Sequence, residues 1–178
     1  MVFTKFIRKE DSQLKKIRYL TTAAVIAALY AALTYAFAFA AYGQVQFRVA
    51  EILTVLPAFT PAAIPGLAIG CVLANIASPL GPIDMIAGGS ATLIAAILTR
   101  VLPKKLAPIP PIICNAVIVG LELLYVYHTP FLINAAYVAV GEAVVCLIGG
   151  YAFMAALGRF GSKLWGPQKS GAKKHIFY

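Results

Sequence analysis

Charge is what this sequence has least of. Asp, Glu, Lys and Arg make up 12% of its 178 residues, against about 25% in an ordinary soluble domain. A chain so poor in charge cannot cover a water-facing surface. Acidic groups are scarcer still, six against fifteen basic ones, and there are two His and one Trp. The pattern G-x-x-x-x-G-K-[ST] is missing, so the chain carries no phosphate cradle for ATP. H-E-x-x-H and G-x-S-x-G are missing too, which removes the usual zinc-peptidase and serine-hydrolase assemblies. His128 and His175 have no neighbours that would complete a catalytic or metal-binding set. Cys71, Cys114 and Cys146 lie singly inside apolar runs, without C-x-x-C spacing, and read as small buried hydrophobes rather than disulfide partners or ligands. No catalytic residue, cofactor or metal is expected, and the protein is not expected to be an enzyme.

What is there in abundance is apolar sequence. Hydrophobic residues make up 61% of the chain and the mean hydropathy is +0.86, which predicts an all-α integral membrane protein. Six apolar runs are read as helices over 19–41, 47–60, 62–77, 83–102, 109–127 and 131–157. Gly43, Pro61, Ser78-Pro79 and Pro103 supply the breaks. The second run is short: as an α-helix it reaches only about 20 Å, against a hydrocarbon core of about 30 Å. The first run is longer than the apolar part of a cleaved signal and is read as a retained helix. The net charge of +9 is gathered at 5–18, 100–105 and 159–174. That distribution flanks the apolar runs and follows the positive-inside rule, so it points to a bilayer and away from nucleic acid. Six spans with both termini in the cytoplasm place fourteen of the fifteen cations inside and leave Arg48 outside. The expectation is one transmembrane domain over 1–178, with a basic cytoplasmic lead at 1–18 and a basic tail at 159–178, in a bacterial plasma membrane. No internal repeat is evident, which argues against an inverted-repeat transporter.

The few polar residues inside the runs are not scattered. On this topology Glu51, Asn75, Asp84, Glu122, Asn134 and Glu142 all fall toward the outer half. Arg48 and Glu51 are three apart and share a helix face, as do Asn115 and Glu122, and Asn134 and Glu142. Blander roles exist for several: Arg48 and Glu51 as a structural ion pair, Asp84 as a helix cap, Asn75 and Asn115 as interhelical hydrogen-bonding groups. Glu122 and Glu142 have no cation at matching depth on their own helices. The convergence predicts an outward-facing pocket, net negative and containing amides, suited to a small, donor-rich, planar or cationic solute. A carboxylate takes two parallel N–H bonds from an amidine-like edge, and the N1–H and exocyclic amine of guanine form such an edge. Tyr137 is placed to stack on the ring. The first helix also carries ladders of small residues, Ala24, Ala28, Ala32, Ala36 and Ala40 beside Ala23, Ala27 and Ala31. Such faces let helices approach closely, within the chain or on another membrane protein.

The segment GQVQFRVAEILTVLP, followed by GLAIGCVLANIASPLGPIDMIAGGSATLIAA, PPIICNAVIVGLEL and VGEAVV, resembles the QueT family of queuosine-precursor transporters over roughly residues 18 to 157. Ala50 departs from the small polar residue expected there. The resemblance implies a six-helix S component, the substrate-binding subunit of an energy-coupling-factor (ECF) transporter. It implies docking through Ala24, Ala28 and Ala32 onto a transmembrane coupling protein driven by two separate ATPase subunits. It further implies a 7-deazaguanine substrate, in its cyano or aminomethyl form or as queuine. On that basis Glu142 or Glu122 would take the guanine-like edge and Asn75 or Asn115 the ring carbonyl or nitrogens. Asp84 or Glu51 would meet an aminomethyl cation, and Arg48 would order the carboxylates or the loop. The competing class is a stand-alone proton-coupled transporter in which Glu122 and Glu142 form a proton relay.

Overall fold

The computed structural model of the chain describes residues 2–41 and 46–165. Every regular element among them is helical. Helix α1 runs from Val2–Ala36, so the basic lead is not a separate segment but the first turns of the first helix. The reason is compositional: Lys, Arg, Gln and Leu are good helix formers and no Pro or Gly interrupts them. A single helical turn, α2 (Ala38–Ala41), follows. Gly43, the expected stop, lies outside the described residues.

The next pass is not α-helical. Val49–Ala58 is a 3-10 helix of ten residues with Pro57 inside it. At about 2.0 Å per residue such a helix spans about 20 Å. Eight of its ten residues are buried, and a helix covered on all sides has to run inside a bundle rather than on its rim. Helix α3 (Ala63–Ala74) ends in a 3-10 turn, Asn75–Ala77. Helix α4 (Pro82–Val101) starts after Gly81, whose φ of +54° turns the chain. Helix α5 (Ile109–Tyr127) holds two prolines in its first turn, where the missing N–H costs nothing, and stops at His128 in the left-handed region. The last predicted helix proves to be three joined windings: α6 (Phe131–Ala143), a π-helix (Val144–Gly150) and α7 (Tyr151–Trp165).

Close contacts give the directions. A Cβ on Gly66 would lie 2.7 Å from the Ala23 carbonyl oxygen, and one on Gly70 would lie 2.8 Å from Tyr30 Cβ. Farther along, the Tyr35 hydroxyl donates to the Leu73 carbonyl at 2.5 Å. Helices α1 and α3 therefore run parallel, and the buried 3-10 segment is the return pass between them. Gly88 meets Asn75 and Gly89 meets Val72, so α4 is antiparallel to α3. Gly120 meets Ala135, and Asn115 bonds Glu142, so α6 is antiparallel to α5. The 3-10 segment runs alongside the last pass, with Gln46 against Gly141, Ile52 against Gly149 and Val55 against Gly150. Six apolar passes thus alternate in direction. Four helical stretches among the described residues are long and apolar enough to cross a membrane: Ser12–Ala36, Pro82–Val101, Lys104–Tyr127 and Phe131–Arg159. The other two passes, Val49–Ala58 and Ala63–Ala77, are apolar but shorter.

The two alanine ladders of α1 separate cleanly. Ala23, Ala27 and Ala31 are buried, with Ala23 and Ala27 against the glycines of α3, whereas Ala24, Ala28 and Ala32 are exposed. The close contact between α1 and α3 sets an expectation. In Gly70→Ala the new methyl would meet Tyr30 Cβ at 2.8 Å and the Ala27 carbonyl at 2.9 Å, neither of which is a flexible tip. Overpacking of this kind should destabilise the bundle by about 1–3 kcal/mol, read as a lower melting temperature in detergent. Gly158→Ala, whose Cβ meets nothing within 4 Å, should not lower it.

Candidate functional site

The site is organised by the buried 3-10 segment. With three residues per turn, side chains at i and i+3 fall in line, so Glu51 and Thr54 share one row, and Arg48 stands just before the first turn on extended backbone. Arg48 is 3% exposed and Glu51 fully buried. They do not bond each other. Arg48 Nη1 donates to the Cys71 thiol at 3.6 Å, and its Nε and Nη2 have no partner among the described residues. Glu51 Oε1 accepts a short hydrogen bond from the Tyr30 hydroxyl, and its Oε2 has no partner. The ion-pair reading of these two residues is therefore replaced by two separate connections, one to α3 and one to α1.

Beside Arg48 lie the end of α3 and the start of α4. Asn75 Nδ2 donates to the Asp84 carbonyl at 2.8 Å and to Cys71 Sγ at 3.6 Å, leaving Asn75 Oδ1 unpartnered. Asp84 is 3% exposed, makes no capping bond at the start of α4, and keeps Oδ1 unpartnered. It points into the bundle instead of capping a helix at the interface. Gly88 allows this arrangement: a Cβ there would lie 2.5 Å from Asn75 Nδ2 and 3.5 Å from both Asp84 Oδ1 and Cys71 Sγ. One turn farther, Thr92 is buried with its hydroxyl unpartnered.

The opposite wall comes from α5 and the last pass. Asn115 Nδ2 donates to Glu142 Oε1 at 2.9 Å. The Cys146 thiol lies 3.5 Å from Glu142 Oε2 and 3.8 Å from the Glu51 carbonyl, tying this wall to the 3-10 segment. Glu142 is thus well partnered. Glu122 is the reverse: it is buried, neither carboxylate oxygen has a partner, and it lies within electrostatic reach of Asp84 and Arg48.

Of the residues singled out from the sequence, the structure brings Arg48, Glu51, Asn75, Asp84 and Glu122 together, with Asn115 and Glu142 joined to Glu51 through Cys146. It does not bring in Tyr137, which is 45% exposed on α6. Asn134 belongs to a local turn, where its amide donates to Thr129. The aromatic residue that does reach the cluster is Tyr30. Its signal was its place on the buried face of α1, four residues from Ile26 and from Thr34. The three cysteines are buried as expected, but Cys71 and Cys146 are hydrogen-bonded parts of the cluster as well as filler.

An unpartnered buried polar group costs about 1–3 kcal/mol. Here Arg48, Glu51, Asn75, Asp84, Thr92 and Glu122 all contribute such atoms, from four passes of the bundle. Five are acceptors: Glu51 Oε2, Asn75 Oδ1, Asp84 Oδ1 and both oxygens of Glu122. Two are donors, Arg48 Nε and Nη2, and the Thr92 hydroxyl can act as either. The cluster thus holds more unpartnered acceptors than donors.

A family model described as QueT transporter matches residues 20–159. A protein of Lactococcus lactis subsp. cremoris (strain MG1363) named queuosine precursor transporter QueT is 31% identical over 151 residues, covering 74% of this chain and 88% of that protein. No solved structure matches the chain.

The two intramembrane glutamates should respond oppositely to an apolar replacement. Glu122→Leu removes an unpartnered buried carboxylate and should raise the melting temperature of the ligand-free protein. Glu142→Leu leaves the Asn115 amide without its acceptor and should lower it, each by the equivalent of about 1–3 kcal/mol.

Proposed function

The chain belongs to the QueT transporter family, a group of multi-pass membrane transporters and not enzymes, and from that premise we propose that it is the substrate-binding S component of an ECF importer for a 7-deazaguanine queuosine precursor. The observation that carries the reading is the excess of unpartnered buried acceptors around one buried guanidinium. A guanine-type ring offers N1–H and the 2-amine side by side, and a carboxylate with both oxygens free accepts them as a pair. Glu122 is that carboxylate, since Glu142 is already engaged by Asn115 and Cys146. The Arg48 Nε–Nη2 edge faces the ring carbonyl, and Asn75 Oδ1 takes a further ring N–H. Asp84 and Glu51 then meet the substituent. Five acceptors against two donors favour the aminomethyl form, a cation with added N–H groups, over the cyano form, which adds an acceptor.

The topology in this reading is six spans with both termini in the cytoplasm. Arg48, Asn75 and Asp84 sit at the end of the bundle that α1 reaches with its C-terminal turns. With the N-terminus inside, that end faces out, as capture from the medium requires. ATP is hydrolysed by two partner ATPases, and the exposed Ala24, Ala28 and Ala32 of α1 form the face for the transmembrane coupling protein. A second reading, a stand-alone proton-coupled transporter, draws on the two unpartnered oxygens of Glu122 as a proton-carrying group.

Calorimetric titration of the purified chain with the aminomethyl and cyano 7-deazaguanines, queuine and guanine tests the substrate. Binding without partners is expected, with the aminomethyl compound tightest; no binding by folded protein would remove the assignment. Glu122→Gln should weaken binding at least tenfold, or about 1.4 kcal/mol, while Tyr137→Ala should leave it nearly unchanged. Ala28→Leu should abolish uptake in cells that supply the coupling protein and ATPases, with solute binding by the purified variant intact. Uptake driven by a proton gradient in cells lacking those partners would establish the second reading instead.

A further inference from the structure

Helix α1 extends beyond its apolar span, and the other described residues do not cover the extension. Every residue from 12 to 21 is exposed. Among them are Leu14 at 64%, Ile17 at 58% and Leu20 at 65%, side chains that would be buried if the bundle had a use for them internally. Lys15, Lys16 and Arg18 alternate with these apolar residues. The carboxylates of α1, Glu10 and Asp11, both precede these cations, and no acidic residue follows until Glu51. Helical spacing sets Lys15 and Arg18 on one face, with Leu14 and Ile17 beside them and Thr21 and Thr22 one turn deeper. These six residues line a cleft of about 510 Å³.

We propose that this cleft binds the headgroup of an anionic phospholipid. A phosphodiester placed between Lys15 and Arg18 would receive charge-assisted hydrogen bonds from both. The Thr21 and Thr22 hydroxyls lie toward the membrane interior, at the level of the glycerol and its ester carbonyls. Leu14, Ile17 and the alkyl stems of Lys15 and Arg18 form apolar walls around the headgroup, and the exposed Val25 and Leu29, deeper along α1 than the threonines, supply apolar surface for the upper acyl chain. A basic cluster directly beside a membrane span is the arrangement that attracts anionic lipid. The net sign gives the selectivity. A zwitterionic lipid carries an ammonium group that Lys16 repels, whereas a headgroup ending in glycerol carries none. The site is separate from the solute cluster, and its lipid would hold one end of α1 at a set depth.

Native mass spectrometry of the full chain in micelles containing equimolar phosphatidylglycerol and phosphatidylcholine tests the proposal. The protein should retain phosphatidylglycerol with roughly thirtyfold preference, as expected for two basic contacts of about 1 kcal/mol each. Lys15→Gln/Arg18→Gln should lose that preference. Lys169→Gln/Lys173→Gln, which removes the same charge from the tail, should keep it. Circular dichroism and thermal melting establish that each variant is folded, independently of any solute. Equal retention of both lipids by the unaltered protein would overturn the proposal. So would equal loss in the two double variants, which would mean diffuse attraction by net charge. An unchanged preference in Lys15→Gln/Arg18→Gln would also overturn it and leave the cleft to an acidic surface of a partner protein.

Discussion

A guanidinium that cannot give up its proton sits at 3% exposure inside an apolar bundle, and the arrangement of the other passes follows from it. A charge at membrane depth needs compensation nearby. Arg48 has a thiol as its hydrogen-bonding partner, so compensation comes through the field of the carboxylates on its own segment and on α4. Bringing Glu51, Asp84 and Glu122 to one place requires three passes to converge, and convergence requires narrow backbone. Gly88 lets the Asn75 amide lie against α4, and Gly141 lets the last pass touch the backbone of Gln46 just before Arg48. A residue with a β-carbon at either place would push a wall of the site outward.

The parts of this arrangement that are legible in the sequence are those encoded by periodicity and by breakers. Helix α5 matches its expected bounds to the residue, and α4 lies within one residue of them, because Pro and Gly mark their ends. The gathering of the intramembrane acids follows from depth along alternating passes, and depth is readable from hydropathy. Winding is not. The fourteen residues from Phe47 read as a short apolar helix whether the turn holds 3.0 or 3.6 residues, and the π winding at Val144–Gly150 leaves no mark in an apolar run. Hydrogen-bond choice is also invisible. Arg48 and Glu51 are three residues apart, yet each bonds a residue more than twenty positions away, Cys71 and Tyr30. Tyr137 and Tyr30 both stand in apolar helices, and only the packing of whole helices decides which one turns inward.

Helix α1 shows how one element serves two environments. One alanine ladder lies against Gly66 and Gly70 and brings the α1 and α3 backbones close together. The other faces outward and is smooth. Tyr30 continues the inner ladder and ends in the hydroxyl that holds Glu51. The surface offered to the membrane or to a partner and the wall of the polar cluster are thus opposite sides of the same few turns.

The 3-10 winding of the buried segment also fixes a length. Ten residues wound this way reach about 5 Å farther than they would as an α-helix. Both ends are held: Arg48 lies in the polar cluster, and the Pro57 carbonyl accepts from Arg100 at 3.3 Å. Held in this way, the segment has no slack: rewinding any turn of it would shift Arg48 against the polar cluster or Pro57 against Arg100.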